Sequence, residues 1–296
     1  MLPSPFTSEF LSRLETLRLR TRKDVLGNRP GAYSSPRRGT SLEFADYRKY
    51  SPGDDLRYVD WGIFARSDRL YVRLFHEEVD LFAYIFIDAS GSMAFPSREE
   101  KFTPACNLAL ALSYVVLANH DHVRLHSLKD ANAAASPFYR GRQRMRDLIR
   151  FVSSVSPAGD LDAAHSLGNH LKHIRRPGKA ILISDFLAPA ASYQQGLNLL
   201  RAFNLDISVI QVLSREEITP ALPRGELGLV DSENFQELRL QWNESLGREY
   251  GEKLERHNRE LKSFCHQSGI HYSFYATDED LGRFVLKTLP ATGLFR

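Results

Sequence analysis

Apolar positions near the start of the chain fall at helical spacing. Phe10, Leu11, Leu14, Leu17 and Leu19 predict an amphipathic helix over residues 8–20. The next stretch, VLGNRPGAYSSPRRGTS, is rich in glycine, proline and serine and predicts loop. From about residue 81 the rhythm changes. Short apolar runs (FAYIFID, VRLHSL, KAILISDF, ISVIQVL, HYSFYAT) predict strands. Between them lie segments of helical period: KFTPACNLALALSYVVLA, RMRDLIRFVSSV, DLDAAHSLGNHLKHIRR, YQQGLNLLRAFN, the charged ESLGREYGEKLERHNRELKSFCHQSG, and EDLGRFVLKTL. Pro104 is tolerated in the first turn of its helix. Strands apolar on both faces, alternating with helices, imply an α/β fold with a mostly parallel sheet covered on both sides. Near residues 222–242 the order breaks. GELGLVD and FQELRLQW flank SEN there, which predicts an inserted β-hairpin. The aromatic stretch FHEEVDLFAYIF reads as belonging to a strand leading into the core.

Composition narrows the function. The 39 basic and 36 acidic residues leave a net charge of only +3, too balanced to indicate nucleic-acid binding. The two cysteines, Cys106 and Cys265, belong to no CxxC or Cys/His cluster. They read as small core residues in a reducing compartment. The N-terminal stretch lacks the apolar core of a signal peptide. ALALSYVVLA is shorter than the roughly 20 apolar residues of a membrane span. A cytoplasmic protein without a membrane span is the expectation.

The chemistry concentrates in YIFIDASGSM, where an apolar strand ends in Asp88, Ser90 and Ser92. In open α/β sheets, ligands bind beyond the carboxyl ends of the strands. Asp185, in ILISDF, closes another strand. If the two strands are neighbours, two carboxylates and two hydroxyls converge, a donor set suited to Mg²⁺. Gly91 is expected to let the loop turn sharply. The plainer reading is that the aspartates and serines cap the helices that follow. Nothing marks a reactive group. There is no G-x-S-x-G elbow and no Walker A loop. Ser90 stands where an aspartyl-phosphate enzyme would need a second acid. An alternative from another class is a Mg²⁺-dependent hydrolase or nuclease using Asp88 and Asp185.

DASGSM resembles the metal-ion-dependent adhesion site (Asp-x-Ser-x-Ser) of von Willebrand factor A domains, in which the serines ligate Mg²⁺ and an acid from a later loop completes the site. Asp185 looks like that acid. Upstream, residues 39–78 carry the core Y-x-x-G-D-D-x-R-x-x-D-W-x-x-x-A-R, from Tyr50 to Arg66. This block is similar to the signature of a bacterial family known as domain of unknown function fifty-eight. The resemblance implies a von Willebrand A-like, Rossmann-like domain over residues 79–296, behind an N-terminal helix and β-rich segment over 1–78. It also implies a function: a non-enzymatic adaptor for a MoxR-type AAA+ ATPase in chaperone-like remodelling or maturation of a client protein. Many relatives carry membrane-spanning segments, which this chain is read as lacking.

The site departs from the family pattern. Relatives often have Gly-Thr-Asp-Leu before the mid-domain helix, the threonine reaching the metal. Here the text is AGDLDAA, which puts Gly159 or Asp160 at that position. With Gly159 the ion loses a ligand. With Asp160 a third carboxylate over-neutralises it. Either way, Mg²⁺ binding and metal-mediated partner capture are expected to be weak or lost.

In residues 46–73, six basic and five acidic residues are interleaved. One reading is an ion-pair network pinning the segment to the main domain, with Trp61 anchored in the core. The other is a docking surface for the ATPase, carried by Arg57, Asp60, Trp61 and Arg66.

Overall fold

The computed structural model describes residues 5–21, 43–76, 80–129, 134–230 and 237–295. The chain divides into two units, residues 29–80 and residues 1–28 with 81–296. The N-terminal helix therefore groups with the main unit, whereas the sequence reading placed it with the β-rich segment.

The smaller unit is a two-stranded antiparallel ribbon with a short helix. Strand β1 (Glu43–Lys49) pairs with β2 (Tyr71–His76), with a register irregularity between Phe44 and Asp46. Between them, helix α2 (Trp61–Ser67) is capped by Asp60, whose side chain accepts the Ile63 N–H. It ends at Asp68 in the left-handed conformation, φ 55°. The stretch FHEEVDLFAYIF contributes to two strands, and residues 77–79 within it lie outside the described residues. β2 ends at His76 and β3 starts at Phe82.

The main unit is built on a mostly parallel sheet. Its strands are β3 (Phe82–Asp88), β4 (His122–Leu128), β7 (Gly178–Ser184), β8 (Leu205–Leu213) and β11 (His271–Ala276), with the short β5 (Ala134–Ala135) and β6 (Tyr139–Arg140) antiparallel to β4. The spatial order is β11-β8-β7-β3-β4-β5, and every pair from β11 to β4 is parallel. This is a doubly wound sheet. The chain starts in the middle, moves outward to β4, then crosses back to β7.

Alternation along each strand sends side chains to two cores. Ala83, Ile85, Ile87, Ile181, Ile183, Ile210 and Val212 face one layer, made by α3 (Thr103–Ala118), α4 (Met145–Ser154), α1 (Ser8–Leu14) and the C-terminal segment. Tyr84, Phe86, Ala180, Leu182, Ile207 and Val209 face the other, made by α5 (Ala163–Leu171), α6 (Ala190–Ala202) and α8 (Glu244–Gln267). Strands β7 and β8 are buried throughout, which explains their unbroken apolar text. At Gly178, an added Cβ would lie 2.0 Å from the Phe82 carbonyl oxygen, so only glycine lets β7 start this close to β3.

Some expectations change. Helix α1 stops at Leu14 rather than at residue 20, and Leu19 forms a bridge with Phe295. The helix α3 region, Arg98–Ala118, is long and apolar enough by composition to cross a bilayer, contrary to the sequence reading, and most of it is buried within the domain. The inserted hairpin is present as β9 (Gly225–Val230) and β10 (Glu237–Trp242); the SEN turn lies outside the described residues. Cys106 and Cys265 are free and buried, and burial pushes both thiols up to about 12.

Candidate functional site

The order of the sheet reverses between β3 and β7, and their ends lie side by side. Ile87 stands opposite Ile183. One residue on, the Ser184 hydroxyl donates to Asp88 Oδ2 at 2.5 Å. The Ser90 N–H donates to Asp88 Oδ1 at 2.8 Å. The hydroxyls of Ser90 and Ser92 lie 2.9 Å apart, each the other's partner. The loop before α5 is laced onto this turn: Gly91 N–H donates to the Gly159 oxygen at 2.7 Å, and Ala158 N–H to the Ala89 oxygen at 3.0 Å. Gly159 takes a left-handed φ of 77°. It is this glycine, rather than Gly91, that has the conformational freedom the turn uses.

Asp185 completes the group through a residue that sequence reasoning missed. Lys101 is fully buried. Its ammonium donates to Asp185 Oδ2 at 2.7 Å, to Glu217 Oε1 at 2.6 Å and to the Ser92 carbonyl oxygen at 3.1 Å. The other Asp185 oxygen accepts the Leu187 N–H at 3.2 Å. Glu217 belongs to the short helix α7 (Arg215–Ile218), where it forms a capping box with Ser214. Its Oε2 takes the Ser214 N–H at 2.8 Å. The loops after β3, β7 and β8 thus meet on one ammonium.

Burial sets the electrostatics. Asp88 is buried, and desolvation, aided by the nearby Asp185 charge, pushes its carboxyl up to about 6. Burial also raises Glu217, against the pull of Lys101. For Lys101 burial alone would lower the pKa, but Asp185 and Glu217 outweigh it and hold the ammonium above its ordinary value.

Four of the five residues read as metal ligands, Asp88, Ser90, Ser92 and Asp185, are brought together. Asp160 lies on the adjoining loop but is exposed, and its carboxylate accepts the neighbouring Leu161 N–H at 2.7 Å. The donors present do not fit a closed divalent site. The serine hydroxyls stand at about the oxygen spacing of an octahedral Mg²⁺ edge. Asp185, however, is already committed to a cation. Among the described residues, no three His, Cys, Asp or Glu side chains group closely enough to hold an ion. An ion placed on Asp185 would stand close to the ammonium. Two unit charges about 4 Å apart repel by about 4 kcal/mol near a protein surface, and a divalent ion doubles that.

The partner-binding candidates lie in the smaller unit. Arg57 pairs with Asp55 at 2.6 Å, and Arg48 with Asp54 at 2.9 Å. Asp60 caps α2, accepts the Tyr47 hydroxyl at 3.1 Å and stands 3.7 Å from Arg73. The Ile63 N–H is the main reason its carboxyl is held below the ordinary range. The Arg66 guanidinium donates to the Gly62 carbonyl at 3.1 Å. These bonds are local to the unit. Trp61, expected in the core, is instead 54% exposed, with Phe64 packed edge-on against it. Leu56 and Tyr47 are exposed in the same unit.

Comparison with known proteins gives the following. Uncharacterized protein Rv1480 of Mycobacterium tuberculosis (strain H37Rv) is 28% identical over 226 residues, 75% of this chain and 70% of its own. Uncharacterized protein Mb1516 of Mycobacterium bovis matches equally. Among solved structures, BatB from Bacteroides thetaiotaomicron aligns with a TM-score of 0.41 at 14% identity, over 72% of this chain and 98% of its own. The SpRpn10 VWA domain aligns with a TM-score of 0.38 at 10% identity, over 72% and 96%. The profile of the family described as protein of unknown function DUF58 matches residues 46–260, well over half the chain, and this protein belongs to that family.

Proposed function

We propose that this protein is a non-enzymatic interaction adaptor that works with a MoxR-type AAA+ ATPase in remodelling or maturing a client protein. The observation that carries the reading is the exposed Trp61, presented on a helix whose start is fixed by Asp60. Tryptophan and arginine dominate binding hot spots, and here Trp61 stands in one helix with Arg66, and Arg57 is nearby in sequence. The resemblance of the Tyr50–Arg66 block to its family supplies the partner class. The loop at Ser92, the partly exposed member of the group with the buried Asp88 and Ser90, is the second contact region in this reading, in keeping with a sheet crevice at a switch point.

The hydrolase or nuclease alternative has less support. Ser90 and Ser92 bond to each other, while His126 and His170 pair with one another, their Nδ1 atoms 3.0 Å apart. Asp88 and Asp185 already accept hydrogen bonds on both oxygens. Mixing the purified chain with a MoxR-type ATPase from the same host, in ATP, ADP and nucleotide-free states, tests the proposal. A complex in at least one state is expected. No complex in any state, with Mg²⁺-dependent phosphoester turnover abolished by Asp185→Asn, would establish the alternative.

A further inference from the structure

The buried lysine has a consequence for how the rim works. Lys101 sits at the head of an apolar helix, in a wide turn over Arg98–Phe102, where the helix dipole disfavours a cation. It is nonetheless fully buried, and its three hydrogen bonds reach the loops after β3, β7 and β8. Those three groups, the Ser92 carbonyl, Asp185 and Glu217, are all acceptors. An ammonium has three donors and no acceptor, so this cage satisfies it completely. A divalent ion at the switch point would have the same task of joining acceptors from successive strand ends, and Asp185, the acid read as its ligand, already gives one oxygen to Lys101 and the other to the Leu187 N–H.

We propose that the Lys101 ammonium is the resident cation of this rim, in place of a divalent metal. The rim is then preassembled on folding. Chelators do not dismantle it, and a partner reaches it without a metal-bridged carboxylate. Asp88 stays outside the cage, its two oxygens held by the Ser184 hydroxyl and the Ser90 N–H. The structural half of the proposal rests on the cage alone. Its consequence for partners rests on the adaptor reading.

The test uses Mn²⁺ as probe, followed by water-proton relaxation, with Mg²⁺ as competitor. Wild type and the Ser90→Ala/Ser92→Ala double variant are compared in the full chain. Equal Mn²⁺ titrations are expected, because no ion sits on the serines. Mn²⁺ binding that the double variant loses, or loses by about tenfold or more, would overturn the proposal. A second arm uses Lys101→Met, whose thermal midpoint should fall and then rise again with added Mn²⁺ as the freed Asp185 takes the ion. A Lys101→Met protein as stable as wild type would also overturn it. Should this variant not fold, the wild-type comparison decides alone. A failed ATPase complex with equal titrations would sink the adaptor reading and leave the lysine cage standing.

Discussion

The Ser184 hydroxyl donates to Asp88 Oδ2 at 2.5 Å, tying the ends of two adjacent strands whose sequences lie 96 residues apart. That bond fixes a buried carboxyl that pairs with no cation among the described residues. Its folded pKa is raised from 3.8 to about 6, first by burial and then by Asp185. A raised folded value means that stability is fully present below about pH 3.8 and is lost as pH rises through about 6. Asp88→Asn removes that loss, since its oxygen can keep the Ser90 N–H and its amide can donate to the Ser184 oxygen. Urea unfolding should show a gain on the order of 1–3 kcal/mol at pH 7.5 and little change at pH 4.

Glu217 has two obligations, one oxygen for Lys101 and one for the Ser214 N–H. A carboxamide has only one acceptor oxygen. Glu217→Gln therefore leaves either the ammonium or the N–H facing an NH₂ group, at a cost of about 1–3 kcal/mol. Denaturant midpoints of the two proteins measure it, and an unchanged midpoint would contradict the cage geometry.

The buried histidines predict acid sensitivity. His170 Nε2–H donates to the Ser127 carbonyl at 3.0 Å, so its Nδ1 accepts from His126 Nδ1–H. His126 Nε2 is then a buried acceptor without a partner among the described residues. Burial first, then the neighbouring His170, Arg124 and His173, lower the His126 pKa well below 6.5. A depressed folded value means that stability is present above about pH 6.5 and falls as pH drops below it. His126→Leu should flatten the stability profile between pH 6.5 and 5, by comparison with wild type in pH-stepped thermal melts.

Gly178 admits no side chain, because a Cβ there would overlap the Phe82 backbone. Gly178→Ala should force β7 away from β3 and cost more than about 2 kcal/mol, or abolish soluble expression. A variant as stable as wild type would show that the strand start adjusts freely.

Much of this architecture is readable from the text because it is local. Strand ends and helix periods name themselves, and DASGSM marks its own place at the end of β3. That Asp88 and Asp185 meet follows from the doubly wound order. Lys101 could not be found this way. Its partners are 84 and 116 residues distant, and only packing brings them together. Two local signals existed: a lysine just before an apolar helix that itself carries no charge, and the Ser214-x-x-Glu217 capping pattern. Trp61 misled because a large aromatic side chain normally argues for burial. Helix α1 ends at Leu14, and five residues on the chain bridges from Leu19 to Phe295, a tertiary contact the helical period does not announce.

The most direct test of the adaptor claim is the affinity of the purified chain for a MoxR-type ATPase, measured by calorimetry for wild type and Trp61→Ala. Because Trp61 is exposed, its loss should leave the thermal midpoint unchanged while weakening the complex about 30-fold, the typical cost of a tryptophan hot spot. Equal affinity for both proteins, or no binding by wild type, would contradict the account.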